Sequence, residues 1–169
     1  MKKITLLMLF IIGAFSSTEL SAQNKPLSPK ETLTETVGGA KTTIVYCKPS
    51  ARGRKMLGGN EPYGKVWRTG ANEATTIEFD KAVTIEGKEL AAGKYALFTI
   101  PNEGEWTIIF NSVANQWGAY NYDESKDALR VNVNPSKTKE FVETFTIKPE
   151  KDKIALLWEN TQVEFKVKS

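Results

Sequence analysis

The stretch Ile154–Val167, IALLWENTQVEFKV, decides the fold class of this 169-residue chain. In its second half apolar residues alternate with polar ones, so Val163, Phe165 and Val167 fall on one face of an extended strand. Its first half predicts another strand. We expect the two strands to be joined at Glu159-Asn160.

Similar short strands, separated by turn signals, recur upstream. The others are predicted at Thr34–Val37, Lys41–Cys47, Ala74–Phe79, Tyr95–Ile100, Trp106–Phe110, Leu129–Val133 and Phe141–Ile147, with Val83 and Ile85 continuing the third of these. About nine strands and no convincing amphipathic helix predict an all-β fold, an antiparallel two-sheet β-sandwich with two long ordered loops. No internal repeat or boundary divides residues 31–169, so we expect a single domain.

The start of the chain has the layout of a cleaved secretory signal. Lys2 and Lys3 precede an apolar run, Ile4 to Phe15, and small and polar residues follow it. We therefore predict a signal peptide over 1–22, an exposed leader over 23–30, and export to the periplasm or the outside of the cell. The apolar run is too short to span a membrane, and no cysteine follows it that could carry a lipid anchor.

Composition excludes several classes of function. The chain has no histidine and one cysteine, which removes Ser-His-Asp and Cys-His catalysis and leaves a metal site improbable. The single thiol, Cys47, cannot form an internal disulfide and is expected to be a small buried strand residue. A formal net charge of +3, with lysine and glutamate interspersed, argues against nucleic-acid binding. We predict no cofactor.

Residues 50–73, here called the arginine loop, interrupt the β pattern. The loop contains three of the four arginines in the chain and shows neither helical nor strand periodicity. A loop of this length inside a domain is usually functional or disordered. Tyr63, Val66 and Trp67 favour an ordered loop, because disordered segments lack such side chains.

The arginines suggest ligand binding. Elsewhere the chain uses lysine, so Arg52, Arg54 and Arg68 in one loop indicate a need for planar, bidentate donors that match carboxylate or phosphate oxygens. We predict that they converge on a ligand. Alternatively, they pin the loop by pairing with nearby glutamates or by donating to loop carbonyls.

The end of the arginine loop offers further candidates. Asn72 and Glu73 are suited to binding hydroxyl or amino groups, and Tyr63 and Trp67 to packing against a ligand. Trp67 could equally plug the core. Glu73 is also the candidate catalytic acid or base, a role that requires a second carboxylate across a cleft.

A second irregular passage, residues 111–128, is called the aromatic loop. Its Trp117, Tyr120 and Tyr122 are interspersed with amides, a composition suited to stacking on sugar faces. The alternative is that the loop folds its own rings over a sheet edge. We predict that the two loops meet and enclose a binding site.

One strand residue breaks its pattern. Glu143 falls on the apolar face of its strand, together with Phe145 and Ile147. We expect either a paired arginine or a β-bulge at this position.

Several long motifs resemble one known family. They are GRKMLGGNEPYGKVWRTGANEATTIEF, GKYALFTIP, EWTIIFN, QWGAYNY and WEN. Together they resemble secreted bacterial proteins catalogued as domain of unknown function 2911, over about residues 31–167. The resemblance implies an exported all-β domain, but it implies no reaction, ligand or catalytic residue.

These observations favour an exported domain that binds a small anionic or carbohydrate-like molecule. Two alternatives stay open: a glycan- or peptide-acting hydrolase or lyase that uses Glu73, and an envelope domain that works through protein contacts. Oligomeric state cannot be predicted from the sequence.

Overall fold

The computed structural model describes residues 26–169 and confirms an antiparallel β-sandwich. Its strands are β1 (Lys30–Val37), β2 (Ala40–Cys47), β3 (Thr75–Phe79), β4 (Val83–Ile85), β5 (Lys88–Leu90), β6 (Gly93–Ile100), β7 (Trp106–Asn111), β8 (Asp127–Val133), β9 (Ser136–Pro149) and β10 (Lys153–Lys168). Six strands form one sheet in the order β1-β2-β3-β6-β7-β8, and four form the other in the order β5-β4-β10-β9. The predicted signal peptide lies outside the described residues.

The core lies between the two sheets and is rich in aromatic rings. The predicted inward face of β10 is confirmed, since Val163, Phe165 and Val167 are buried. Trp67 stacks on Trp158 with ring centroids 5.3 Å apart. Such burial of large apolar side chains is the main favourable contribution to folding.

The predicted turn at Glu159-Asn160 is wrong, because β10 runs unbroken through it. The pairing of β10 with β9 slips here: Leu157 faces Thr146, whereas Glu159 faces Val142. Glu159 has a φ of 52°, an uncommon value for a residue with a side chain. A β-bulge therefore bends one long strand where the sequence suggested two.

The bulge also holds the arginine loop. The Glu159 carboxylate accepts hydrogen bonds from the backbone N–H groups of Met56 and Leu57, each at 2.9 Å. Hydrogen bonds to a charged acceptor are stronger than neutral ones. Glu159 thus has both an uncommon backbone φ and a side chain that anchors a loop more than 100 residues away in sequence.

The β-bulge that was expected at Glu143 is confirmed. Glu143 lies in the same bulged part of β9, is exposed, and accepts a hydrogen bond from the Arg52 backbone N–H at 2.6 Å. The start of the arginine loop pairs with this edge of β9, since Ala51 donates to the Glu143 carbonyl and Phe145 donates to the Pro49 carbonyl. Part of an otherwise open sheet edge is thereby covered.

Helical structure is almost absent from residues 26–169. One 3₁₀ helix, Glu124–Lys126, lies in the aromatic loop, and no helix in this part of the chain is long and apolar enough to cross a bilayer.

Candidate functional site

The six-stranded sheet has a second buried cluster on its outer face, away from the four-stranded sheet. Strand alternation sends Ala96, Phe98 and Ile109 outward while their neighbours enter the core. The aromatic loop folds across this face, and its Tyr122 packs edge-on against Phe98 with centroids 5.1 Å apart. The alternative interpretation of this loop, as a cover for the sheet, is therefore correct for Tyr122.

The two loops do meet, at the end of one and the middle of the other. The Ala74 N–H donates to the Gln116 carbonyl at 2.9 Å, and the Gly118 N–H donates to the Asn72 carbonyl at 3.1 Å. Glu73 and Trp117 form an isolated antiparallel bridge between these two hydrogen bonds. Backbone pairing thus fixes the junction independently of the side chains.

A cleft of about 390 Å³, here called the outer cleft, lies beside this junction. The sheet contributes residues from β1, β2, β3 and β6, and the aromatic loop contributes its first half. The lining residues are Lys30, Val45, Tyr46, Cys47, Glu73, Ala74, Thr76, Lys94, Ala114, Asn115, Gln116 and Trp117. A largely apolar floor with a few polar groups at its margins is typical of small-molecule sites.

Charge in the outer cleft is carried by two ammonium groups and one carboxylate. Lys30 Nζ lies 2.9 Å from Glu73 Oε1, and Cys47 Sγ lies 3.8 Å from Glu73 Oε2. Lys94 makes no ion pair with any residue of 26–169. The lining therefore carries a formal excess of positive charge, which favours an anionic group.

Glu73 lacks the environment that an acid or base catalyst needs. The hydrogen bond from Lys30 holds the pKa of Glu73 below its usual value, and no second carboxylate lines the cleft. A general acid at neutral pH requires a raised pKa. Glu73 is better suited to binding than to proton transfer.

Gln116 carries the one buried side-chain polar atom of residues 26–169 that has no hydrogen-bond partner. Its Nε2 donates to Asn111 Oδ1 at 3.1 Å and to the Val113 carbonyl at 2.7 Å, which fixes the orientation of the amide. Its Oε1 is then left without a donor. A buried acceptor that lacks a hydrogen-bond donor destabilises the folded protein.

The three guanidinium groups do not share one site, which corrects the prediction from the sequence: Arg52 and Arg54 line a cavity of about 420 Å³, and Arg68 is not part of it. Arg52 donates to the Leu27 carbonyl at 2.9 Å, and Arg54 donates to the Ala51 and Ser50 carbonyls. Arg68 lies at the loop junction instead and donates to the Asn72 carbonyl at 3.1 Å. All three bond to backbone carbonyls, as the alternative interpretation expected, and none lines the outer cleft.

Tyr63 and Trp67 also lie away from the outer cleft. Trp67 is buried in the core and donates from Nε1 to the Gly70 carbonyl at 3.1 Å. Tyr63 packs against the core over Gly58, where an added Cβ would come within 2.4 Å of the tyrosine ring. Both aromatic rings stabilise the arginine loop.

A polar cluster, here called the loop latch, fastens the aromatic loop to the sheet. Asp127 accepts hydrogen bonds from the Tyr122 hydroxyl at 2.5 Å, from Arg130 Nε at 2.7 Å and from Asn111 Nδ2 at 2.8 Å. Arg130 also pairs with Glu124 at 3.1 Å. Burial, with the hydrogen bond to Asp127, raises the pKa of Tyr122 to about 12. Tyr122 is thus fully engaged in holding the loop.

Of the predicted site residues, Glu73 and Trp117 line the cleft, and Asn72, Arg68 and Tyr120 flank it. Lys30, Lys94 and Gln116 were missed. Lys30 was assigned to the leader, and Lys94 lies just before the predicted strand Tyr95–Ile100, so neither carried a functional signal. Lys94 lies on the outward face of β6, directly across from Glu78 of β3, and this pairing appears only in the structure.

Comparison with known proteins gives one match. A family model described as a protein of unknown function, domain of unknown function 2911, matches residues 28–167. No curated protein and no solved structure matches the chain.

Proposed function

The chain belongs to the family of domain of unknown function 2911, whose description assigns no activity, and from the site itself we propose a function. The domain binds a small carbohydrate-like molecule with an acidic group in the outer cleft, and it does so outside the cytoplasm. The proposed export depends on the signal-like start of the sequence.

The observation that carries this proposal is the exposed indole of Trp117 beside two ammonium groups. The Trp117 side chain is 61% exposed, although its backbone is fixed by the bridge to Glu73. A large aromatic ring held in water contributes little to folding, whereas stacking on the apolar face of a sugar would remove it from water. Lys30 and Lys94 supply the attraction for an acidic group.

The remaining polar groups of the cleft suit the hydroxyls of such a ligand. Glu73 accepts hydrogen bonds, and the Asn115 amide lines the same cleft. Val45, Ala74 and Thr76 give the cleft small, largely apolar lining side chains, against which the less polar face of a sugar ring can pack.

The test follows the indole N–H groups by NMR during titration. The probes are glucuronic, galacturonic and N-acetylmuramic acids, each beside its neutral counterpart glucose, galactose or N-acetylglucosamine. We expect acidic sugars to shift the Trp117 signal, while the buried Trp67, Trp106 and Trp158 serve as internal controls that stay in place.

Two variants assign the binding. Lys94→Met should weaken binding of the acids toward that of the neutral sugars, whereas Lys151→Met, at an exposed site outside the cleft, should not. Trp117→Ala, followed by calorimetry, should abolish binding of both classes. If none of the six sugars shifts the Trp117 signal, the proposed function is wrong.

A further inference from the structure

We infer that the ligand is a chain of sugars rather than a single one, and that Tyr120 is the second aromatic contact along it. The inference rests on the proposed function, and it extends the site beyond the outer cleft. Tyr120 does not line that cleft, and its side chain is 78% exposed.

Exposed apolar side chains are concentrated on this loop. Among residues 26–169 the large exposed apolar side chains are Leu27, Val113, Trp117, Tyr120 and Phe141. Three of the five lie within eight consecutive residues of the aromatic loop. Single exposed apolar residues are common and require no explanation, but a group beside a cleft indicates a contact surface.

The Tyr120 ring is supported from beneath. The Arg68 guanidinium lies 6.0 Å from the ring centroid, within the range of a cation–π contact. Arg68 Nη1 is itself fixed by the Asn72 carbonyl, which also accepts from the Gly118 N–H. The Asn72 carbonyl therefore holds both the Arg68 guanidinium and the Gly118 backbone at the loop junction.

Gly118 makes this arrangement sterically possible. It has a φ of 65°, and an added Cβ would lie 3.0 Å from the Tyr120 ring and 3.1 Å from Arg68 Nη1. Both distances are tighter than ordinary van der Waals contacts. A side chain at this position would displace the ring or the guanidinium.

The two exposed aromatic residues lie close together along the aromatic loop. Tyr120 is three positions after Trp117, and this length of backbone spans at most about 11 Å. Because Tyr120 lies outside the cleft lining, a ligand stacked on Trp117 must be longer than one sugar to contact Tyr120 as well. The Arg68 guanidinium lies over the Tyr120 ring and most of the residue is exposed, so the ring offers a surface on which a second sugar can stack.

The experiment compares each acidic monosaccharide with an oligomer that contains it, using calorimetry on the full mature chain. The pairs are galacturonic acid with tetragalacturonic acid, glucuronic acid with a hyaluronan tetrasaccharide, and N-acetylmuramic acid with a cell-wall tetrasaccharide. For at least one pair we expect the oligomer to bind about tenfold more tightly or better. Tyr120→Ala should remove most of that gain and leave monosaccharide affinity unchanged, and Tyr120→Phe should retain the gain.

Arg68→Met tests the support beneath the ring. It should reduce the oligomer gain without changing monosaccharide affinity, because the indole and the lysines are untouched.

The two proposals fail in different ways. A gain that survives Tyr120→Ala, or the failure of all three oligomers to bind better than their monomers, overturns the inference and leaves the proposed function standing. Absence of binding by every sugar overturns both. An affinity gain that Tyr120→Ala removes only together with monosaccharide binding also overturns the inference, since Tyr120 would then be part of the first subsite.

Discussion

The two faces of the six-stranded sheet are built from alternate residues of the same strands, but they are covered by different parts of the chain. The inner face is closed by the four-stranded sheet and holds nearly the whole core. The outer face is covered by the aromatic loop and by Val66 of the arginine loop, which bury Ala74, Ala96, Phe98 and Ile109 and leave the outer cleft open beside them. The difference shows that a face covered by a second sheet becomes the stabilising core, whereas a face only partly covered by a loop keeps an open cleft that can bind a ligand.

The largest expected difference between the faces is in core packing. Phe165 on the inner side and Phe98 on the outer side are both fully buried. Phe165→Ala should lower the free energy of unfolding by about 4–5 kcal/mol, and Phe98→Ala by about 3 kcal/mol, because a loop can collapse into a cavity more readily than a second sheet can. Denaturant unfolding of both variants measures this difference. Equal losses would show that the aromatic loop packs as rigidly as a sheet.

The second-largest effect on stability is expected at the loop latch. Asp127→Asn weakens three hydrogen bonds to a nearly buried carboxylate and should cost about 2 kcal/mol. Hydrogen exchange should rise in the aromatic loop more than in β2 or β3. The exposed Asp152→Asn is the matched control and should change stability by less than about 0.5 kcal/mol. Uniform loss of protection across the sheet would contradict a local latch.

Replacing the exposed indole should affect binding and not stability. Trp117→Ala should change the free energy of unfolding by no more than about 0.5 kcal/mol, because most of the ring is already in water. Loss of more than about 1 kcal/mol would instead mean that Trp117 supports the fold. Thermal unfolding and sugar titration of the same sample separate these outcomes.

The smallest effect concerns ionisation at the cleft wall. Lys30 lowers the pKa of Glu73, so the carboxyl should titrate below its usual 4.5 in carbon-detected NMR, and Lys30→Met should return it toward 4.5. Because the folded-state pKa is the lower one, the ion pair stabilises the fold above the unfolded value and is lost as pH falls through the folded value. The contribution to stability should be small, since both groups are largely exposed. A Glu73 pKa above 4.5 would reopen a catalytic role.

Strand identity could be predicted well because alternation is local. Val163, Phe165 and Val167 occupy the face that their spacing indicated, and the sandwich follows from repeated patterns of this kind. The turn at Glu159-Asn160 failed for a tertiary reason. Those two polar residues resemble a turn, but the Glu159 carboxylate is bound by two backbone N–H groups of a distant loop, and the chain continues through a β-bulge as one strand.

The candidate site was predicted only in part. That an irregular aromatic loop would meet the arginine loop was correct, and so was the place of Trp117 and Glu73 at the junction. The grouping of three arginines was misleading, because sequence proximity does not determine which backbone carbonyls lie within reach of each guanidinium. Lys30 and Lys94 join one cleft only through the pairing order of β1, β2, β3 and β6.

The sequence by itself determined that the chain would form strands, which side chains would alternate inward, and that two passages would depart from that rule. Tertiary structure decided which polar groups face one another, and therefore where a ligand has room. The physical reason is the separation along the chain over which each kind of interaction acts. Alternation and turn chemistry act over a few residues, whereas a cleft exists only after sheet order and loop pairing bring distant residues within hydrogen-bonding distance.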